Sequence, residues 1–148
     1  MSHDEALEIA LCYGWIDGQA NPHDADYWLQ RFTPRRPRSR WSKINKDKVA
    51  ELIASGQMKP AGLREVERAR SDGRWDAAYE GQRNAAVPED LQEALNKSAK
   101  ARKFFDTLNS QNRYAILYRI HEAKRPETRA ARIKKFVAML SQHEKLYP

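Results

Sequence analysis

Residues 14–45 read GWIDGQANPHDADYWLQRFTPRRPRSRWSKIN, and no other stretch of the chain departs so far from the pattern of a helical surface. It holds three of the four tryptophans (Trp15, Trp28 and Trp41), two close prolines (Pro34 and Pro37) and a dense run of arginines. Trp15-Ile16-Asp17 and Tyr27–Phe32 are rich in aromatic and β-branched side chains, which suit a pleated surface. Between them Gly18, Asn21-Pro22 and Asp24 supply turn chemistry over Gly18–Asp26. The pattern predicts an antiparallel hairpin with a long loop. On its second strand Trp28, Gln30 and Phe32 share one face, and Tyr27, Leu29 and Arg31 the other. Two strands alone are marginally stable in water, so the hairpin is expected to pack on helices or to pair with a further strand. Thr33–Ser42 is not helical, because Pro34 and Pro37 fix φ and push their predecessors towards extended backbone.

On either side the sequence is helical. Ser2 and Glu5 have capping-box spacing ahead of Ala6, Ile9, Ala10 and Tyr13, and Gly14 ends that helix. After the arginine run, Ser42 or Asn45 caps a helix to about Ser55 with Val49, Leu52 and Ile53 on its apolar side. Pro60 starts another, with Leu63 and Val66 inward. Trp75 and Tyr79 mark a short element, and Gly81–Val87 is the natural linker. Pro88 opens a helix with Leu91 and Leu95. The next are marked by Ala101, Phe104, Phe105 and Leu108, then by Tyr114, Leu117, Tyr118 and His121. Pro126 starts the last, with a stripe of Ala130, Ile133, Phe136, Val137 and Leu140. The expected fold is α+β and mainly helical. A small N-terminal hairpin lobe packed on helices occupies residues 1–80, and a C-terminal helical domain occupies residues 88–148.

Bulk properties narrow the classes. The chain has 148 residues, 41% of them hydrophobic, too apolar for a disordered tail. No apolar run is long enough to span a bilayer, so no membrane insertion is expected. The first residues carry acids where a signal peptide needs bases, and the single cysteine, Cys12, permits no intrachain disulfide. A cytoplasmic location is expected. The net charge of +7 is uneven. Residues 1–30 carry Asp4, Glu5, Glu8, Asp17, Asp24 and Asp26 with no Lys or Arg, whereas residues 31–48 carry eight bases against Asp47.

Catalytic motifs are lacking. His23, Asp24 and Asp26 lie in one loop and read as a solvated turn, so no metal is expected. Cys12 has no base nearby and reads as a small core side chain, His121 as a buried one, and His3 and His143 as surface groups. The arginine run is the main candidate for a contact. Arg31, Arg35, Arg36, Arg38, Arg40 and Lys43 alternate with aromatics, near Trp15, Asp17, Trp41 and Ser42. Guanidinium groups grip phosphate or carboxylate through two parallel bonds, and aromatics stack on bases or on Arg itself. The competing account makes the run an extended connector whose arginines pair with the acidic first thirty residues. A second anion site is suggested by Arg125, Thr128, Arg129 and Arg132 around a helix N-terminus, where free N–H groups attract anions.

GWIDG (Gly14–Gly18), the run Gln30–Asn45, the Gly56–Gly62 segment and AKRPETRAARI (Ala123–Ile133) together resemble the YdeI/OmpD-associated, or bacteriocin-protection, family, over essentially the whole chain. In that family a strand-forming segment precedes GWIDG, and this chain is expected to lack it. A free strand edge would then invite dimerisation or strand addition by a partner. The resemblance implies a stress or antimicrobial-peptide protection role with no reaction attached. The expectation is a non-enzymatic protein that needs no cofactor and binds a protein or an anionic ligand. The alternative is a nucleic-acid-binding module that uses the basic 31–48 surface. A third account is a small-molecule enzyme with a pocket of Trp15, Asp17 and Trp41.

Overall fold

The computed structural model describes all of residues 1–148, as two compact units, Met1–Tyr79 and Glu80–Pro148. Unit 1 contains α1 (His3–Cys12), the strands β1 (Trp15–Pro22) and β2 (Trp28–Pro34), α2 (Lys43–Ala54) and α3 (Pro60–Ser71). Unit 2 contains α4 (Glu89–Asn96), α5 (Ala99–Asp106), α6 (Ser110–Glu122) and α7 (Pro126–Ser141). The fold is α+β and mainly helical, with its single antiparallel hairpin near the N-terminus. No helix is long and apolar enough to cross a membrane.

The start of α1 is as the spacing predicts: the Ser2 hydroxyl accepts from the Glu5 N–H, and the Glu5 carboxylate accepts from the Ser2 N–H. Its buried face is different. Leu7, Leu11 and Cys12 are inside, while Ile9 and Tyr13 are half exposed. The α3 face also differs, since Val66 and Ala69 are buried but Leu63 is not. Gly62 explains that rotation. A Cβ there would overlap the backbone carbonyl of Cys12, so only glycine lets α3 cross the end of α1, and the helix meets its neighbours through Gly62, Val66 and Ala69. Ser42 caps α2 by accepting from the Asn45 N–H, and Val49 and Leu52 turn inward while Ile53 stays at the surface.

The hairpin is longer than its sequence suggests. β1 runs on to Pro22, paired with Trp28, and the loop shrinks to His23–Tyr27. Asn21 and Pro22 thus belong to the strand. An edge strand tolerates proline because no neighbour needs its missing N–H. Register shifts between Asp17 and Ala20, so Gly18 and Gln19 together face Arg31 across a bulge. Within the loop Asp24 Oδ1 accepts from the N–H groups of Asp26 and Tyr27, both at 2.9 Å. Only the base of the hairpin meets the core, through Phe32. No third strand joins the sheet. The distal half stands in solvent on both faces, with Trp28 69% and Tyr27 67% exposed.

Unit 2 is built round Leu91, Leu95, Phe105, Ile116, Ile120, Phe136 and Leu140. Ala85 and Val87 pack against this core, so the expected linker is partly structural. Buried Asn112 fixes the C-terminal tail: its amide donates to the Tyr147 carbonyl and accepts from the Tyr147 N–H. His121 is exposed rather than buried, because α6 turns Ala115, Ile116, Leu117 and Ile120 inward instead.

Candidate functional site

The segment from β2 through the proline-bracketed strap to α2 sorts its arginines into two kinds. Arg31, Arg36 and Arg38 are exposed, and no acid pairs with any of them. Arg40 and Lys43 are also at the surface. Among the acids of the first thirty residues, Asp17 lies 3.8 Å from His3, while Asp4 and Glu8 lie 3.8 and 3.6 Å from Lys48. Arg31, Arg36 and Arg38 are therefore not paired with the acidic first thirty residues. The lysine on α2 takes that part.

Arg35 is the exception. It is 6% exposed, its guanidinium lies 3.5 Å from the centroid of the Trp41 ring, and its Nη1 donates to the Arg40 carbonyl at 3.0 Å. Trp41 is itself 2% exposed and meets Trp75 edge to face. The backbone of Arg35 is fixed as well, its N–H donating to the Gly14 carbonyl at 3.0 Å. Gly14 has φ +79°, and a side chain there would press on Glu65 and on the Ala61 carbonyl. Burial pulls the Arg35 guanidinium down to about 10, against the raising influence of Tyr79, Glu65 and Asp17.

Arg74 completes this corner. Its Nε donates to the Asp72 carboxylate and its Nη1 to the Ser39 carbonyl at 2.7 Å. Arg35 and Arg74 thus hold consecutive carbonyls of the strap. Buried polar atoms nevertheless remain without partners: Arg35 Nε and Nη2, Arg74 Nη2, Trp41 Nε1 and Glu65 Oε2. Each such atom costs about 1–3 kcal/mol when desolvated unpaired, so five in one corner is a heavy local penalty. Sequence reasoning pointed to Arg35 and Trp41 but missed Glu65, Arg74 and Trp75, which come from α3 and the segment after it and carry no motif.

The other expected residues are placed as follows. Trp15 is 41% exposed and Asp17 lies 3.8 Å from His3, whereas Trp41 is enclosed. Ser42 is occupied as the α2 cap. Cys12 is buried, and desolvation raises its thiol pKa. In unit 2 the second anion site does not assemble. Arg129 grips Asp90 through Nε at 2.5 Å and Nη2 at 2.9 Å, which holds the Asp90 carboxyl below its ordinary range. Arg132 donates to the Arg119 carbonyl and lies 4.0 Å from Glu122. Arg125 and Thr128 are exposed. Unit 2 also has a cleft of about 420 Å³ lined by Tyr114, Tyr118, Tyr147 and Arg119.

Residues 84–143 match the family described as Bacteriocin-protection, YdeI or OmpD-Associated. That match covers most of the C-terminal unit. Residues 1–65 match a different description, a domain of unknown function, DUF8412. The GWIDG segment and the arginine run lie in the DUF8412 part, so the OmpD-associated match is confined to unit 2 and does not extend over the whole chain. No curated protein and no solved structure matches the chain.

Proposed function

We propose that this protein works by binding, within the bacteriocin-protection role named for the family of its C-terminal unit, and that the strap and hairpin of unit 1 form the contact surface. The observation that carries this is the set of exposed, acid-free guanidinium groups of Arg31, Arg36 and Arg38 on a segment that also exposes Trp28 and Tyr27 at the far end of the hairpin. Exposed arginines without counter-charges attract anions, and exposed aromatics add contact area at low conformational cost. At a net charge of +7 the chain repels cationic peptides. Protection therefore acts through an anionic partner and not through sequestering a cationic toxin. The test is survival under bacteriocin challenge of cells carrying the wild type or the Arg31→Ala/Arg36→Ala/Arg38→Ala variant. The wild type should protect and the variant should not, at equal protein levels. Equal protection by both would remove the surface from the account.

A second reading, a nucleic-acid contact, is favoured by Trp28 standing out of the hairpin one strand length from the arginines, as a base-stacking platform would. Single-stranded oligonucleotides should then quench the exposed tryptophans, with affinity falling steeply as salt rises. The triple variant should flatten that slope by about two to three. A response independent of salt rules this reading out.

A further inference from the structure

The buried arginine corner holds unpartnered polar atoms that the exposed surface does not explain. Nε and Nη2 are the two donors on one edge of a guanidinium, the edge that grips an oxyanion through parallel bonds. In Arg35 that edge is the part left without partners, while Nη1 is anchored to the Arg40 carbonyl and the ring of Trp41 supports the flat face. Arg74, anchored to the adjacent Ser39 carbonyl, has one further unpartnered donor, and the Trp41 indole N–H is another. Opposite in character is Glu65 Oε2, an acceptor without a donor. Glu65 borders Gly14, whose carbonyl holds the Arg35 N–H, and the Glu65 carboxylate is near enough to act on the Arg35 charge.

We propose that this corner of unit 1 is a site for a protonated phosphate group, free or as a terminal monoester. Its oxygens would take the Arg35 edge, Arg74 Nη2 and Trp41 Nε1, and its P–OH would donate to Glu65 Oε2. The acceptor makes the site selective. A carboxylate oxygen welcomes an oxyanion that still carries a proton and repels one that does not, so phosphate is admitted and sulfate rejected. None of the orphaned atoms touches solvent in this arrangement, so the corner must open for an anion to reach them. The site is independent of the exposed Arg31, Arg36 and Arg38.

The test uses the full chain near pH 6 at constant ionic strength, with tryptophan fluorescence and thermal melting as readouts. The probes are inorganic phosphate, methyl phosphate, dimethyl phosphate and sulfate. Inorganic phosphate should give a saturable change and a higher melting temperature. Methyl phosphate should match it if the natural ligand is a monoester, and bind at least tenfold more weakly if it is the free anion. Sulfate and the proton-free diester should bind at least tenfold more weakly than phosphate. Glu65→Gln should bring sulfate within about threefold of phosphate. Arg74→Gln should weaken phosphate at least tenfold while far-UV circular dichroism stays unchanged, and Arg35→Lys should abolish it. Arg31→Ala/Arg36→Ala/Arg38→Ala should leave the phosphate response intact, which separates this site from the surface contact. Absence of a saturable phosphate response overturns the proposal, with the Arg35 edge then closing on Glu65 instead. Equal binding of sulfate and phosphate by the wild type, or an unchanged affinity in Arg74→Gln, overturns it as well.

Discussion

Arg35 holds a charge inside unit 1 with one hydrogen bond and one aromatic face to support it. Because burial lowers its pKa to about 10, the folded chain binds that proton less tightly than the unfolded chain does. The charge is thus a fixed cost at neutral pH, and the cost is relieved only as pH rises through about 10. Replacing an under-paired buried charge by an apolar side chain of similar volume is often neutral or stabilising. Arg35→Met should therefore leave urea stability at neutral pH within about 1 kcal/mol of wild type, or raise it. Trp41→Ala, which empties the ring beneath it, should cost about 3–5 kcal/mol. Trp28→Ala, at 69% exposure, should change stability by less than about 0.5 kcal/mol. A large loss in Arg35→Met would show that the guanidinium supports the fold instead of burdening it.

Among the elements, the hairpin and the α4–α7 clasp show what local pattern does and does not specify. The distal hairpin has backbone pairing but little packing, so its amides should exchange with solvent much faster than those near the Asp17–Phe32 pair. Hydrogen exchange followed by NMR or mass spectrometry reads this directly, and uniform protection along the hairpin would contradict it. The clasp is a bidentate Arg129–Asp90 pair whose hydrogen bonds lower the Asp90 pKa. A depressed carboxylate stabilises above its unfolded pKa, and that stabilisation is lost as pH falls through the folded value. Asp90→Asn should thus destabilise by about 0.5–1 kcal/mol at neutral pH, discounted for partial exposure, and the difference should hold down to the ordinary carboxylate range and shrink only as pH falls below it, through the lowered folded value. A gap that persists at low pH would assign the loss to packing.

At the scale of the whole molecule, two cores of similar size define two units, and a core of that size is enough for a small helical domain to fold. A chain of residues 80–148 should accordingly give a helical circular dichroism spectrum and a cooperative melt. A non-cooperative melt would mean that unit 2 needs unit 1 to fold. Much of the architecture was legible from caps, prolines and apolar spacing: all seven helices, the hairpin and the Ser2 cap follow from local chemistry, and the structure chose Ser42 over Asn45 as the cap of α2. The buried faces of α1 and α3 were less so. Ile9 and Leu63 fit a helical stripe as well as Leu7 and Val66 do, and the choice was made by Gly62 against the Cys12 carbonyl.

The stretch Gly14–Asn45 divides the same way. By itself the sequence determined that it forms a hairpin followed by a non-helical, strongly basic strap, because β-branched and aromatic runs, turn residues and fixed proline dihedrals act over a few neighbours. It could not rank Arg35 apart from Arg36 or Arg38, since all three have the same chemistry and similar spacing. Only the tertiary structure decided that one arginine is stacked on Trp41 beside Glu65 and Arg74 while the others face water. Burial and partnership depend on what α3 and the Trp75 segment bring across from more than twenty-five residues away, and no local pattern encodes that meeting.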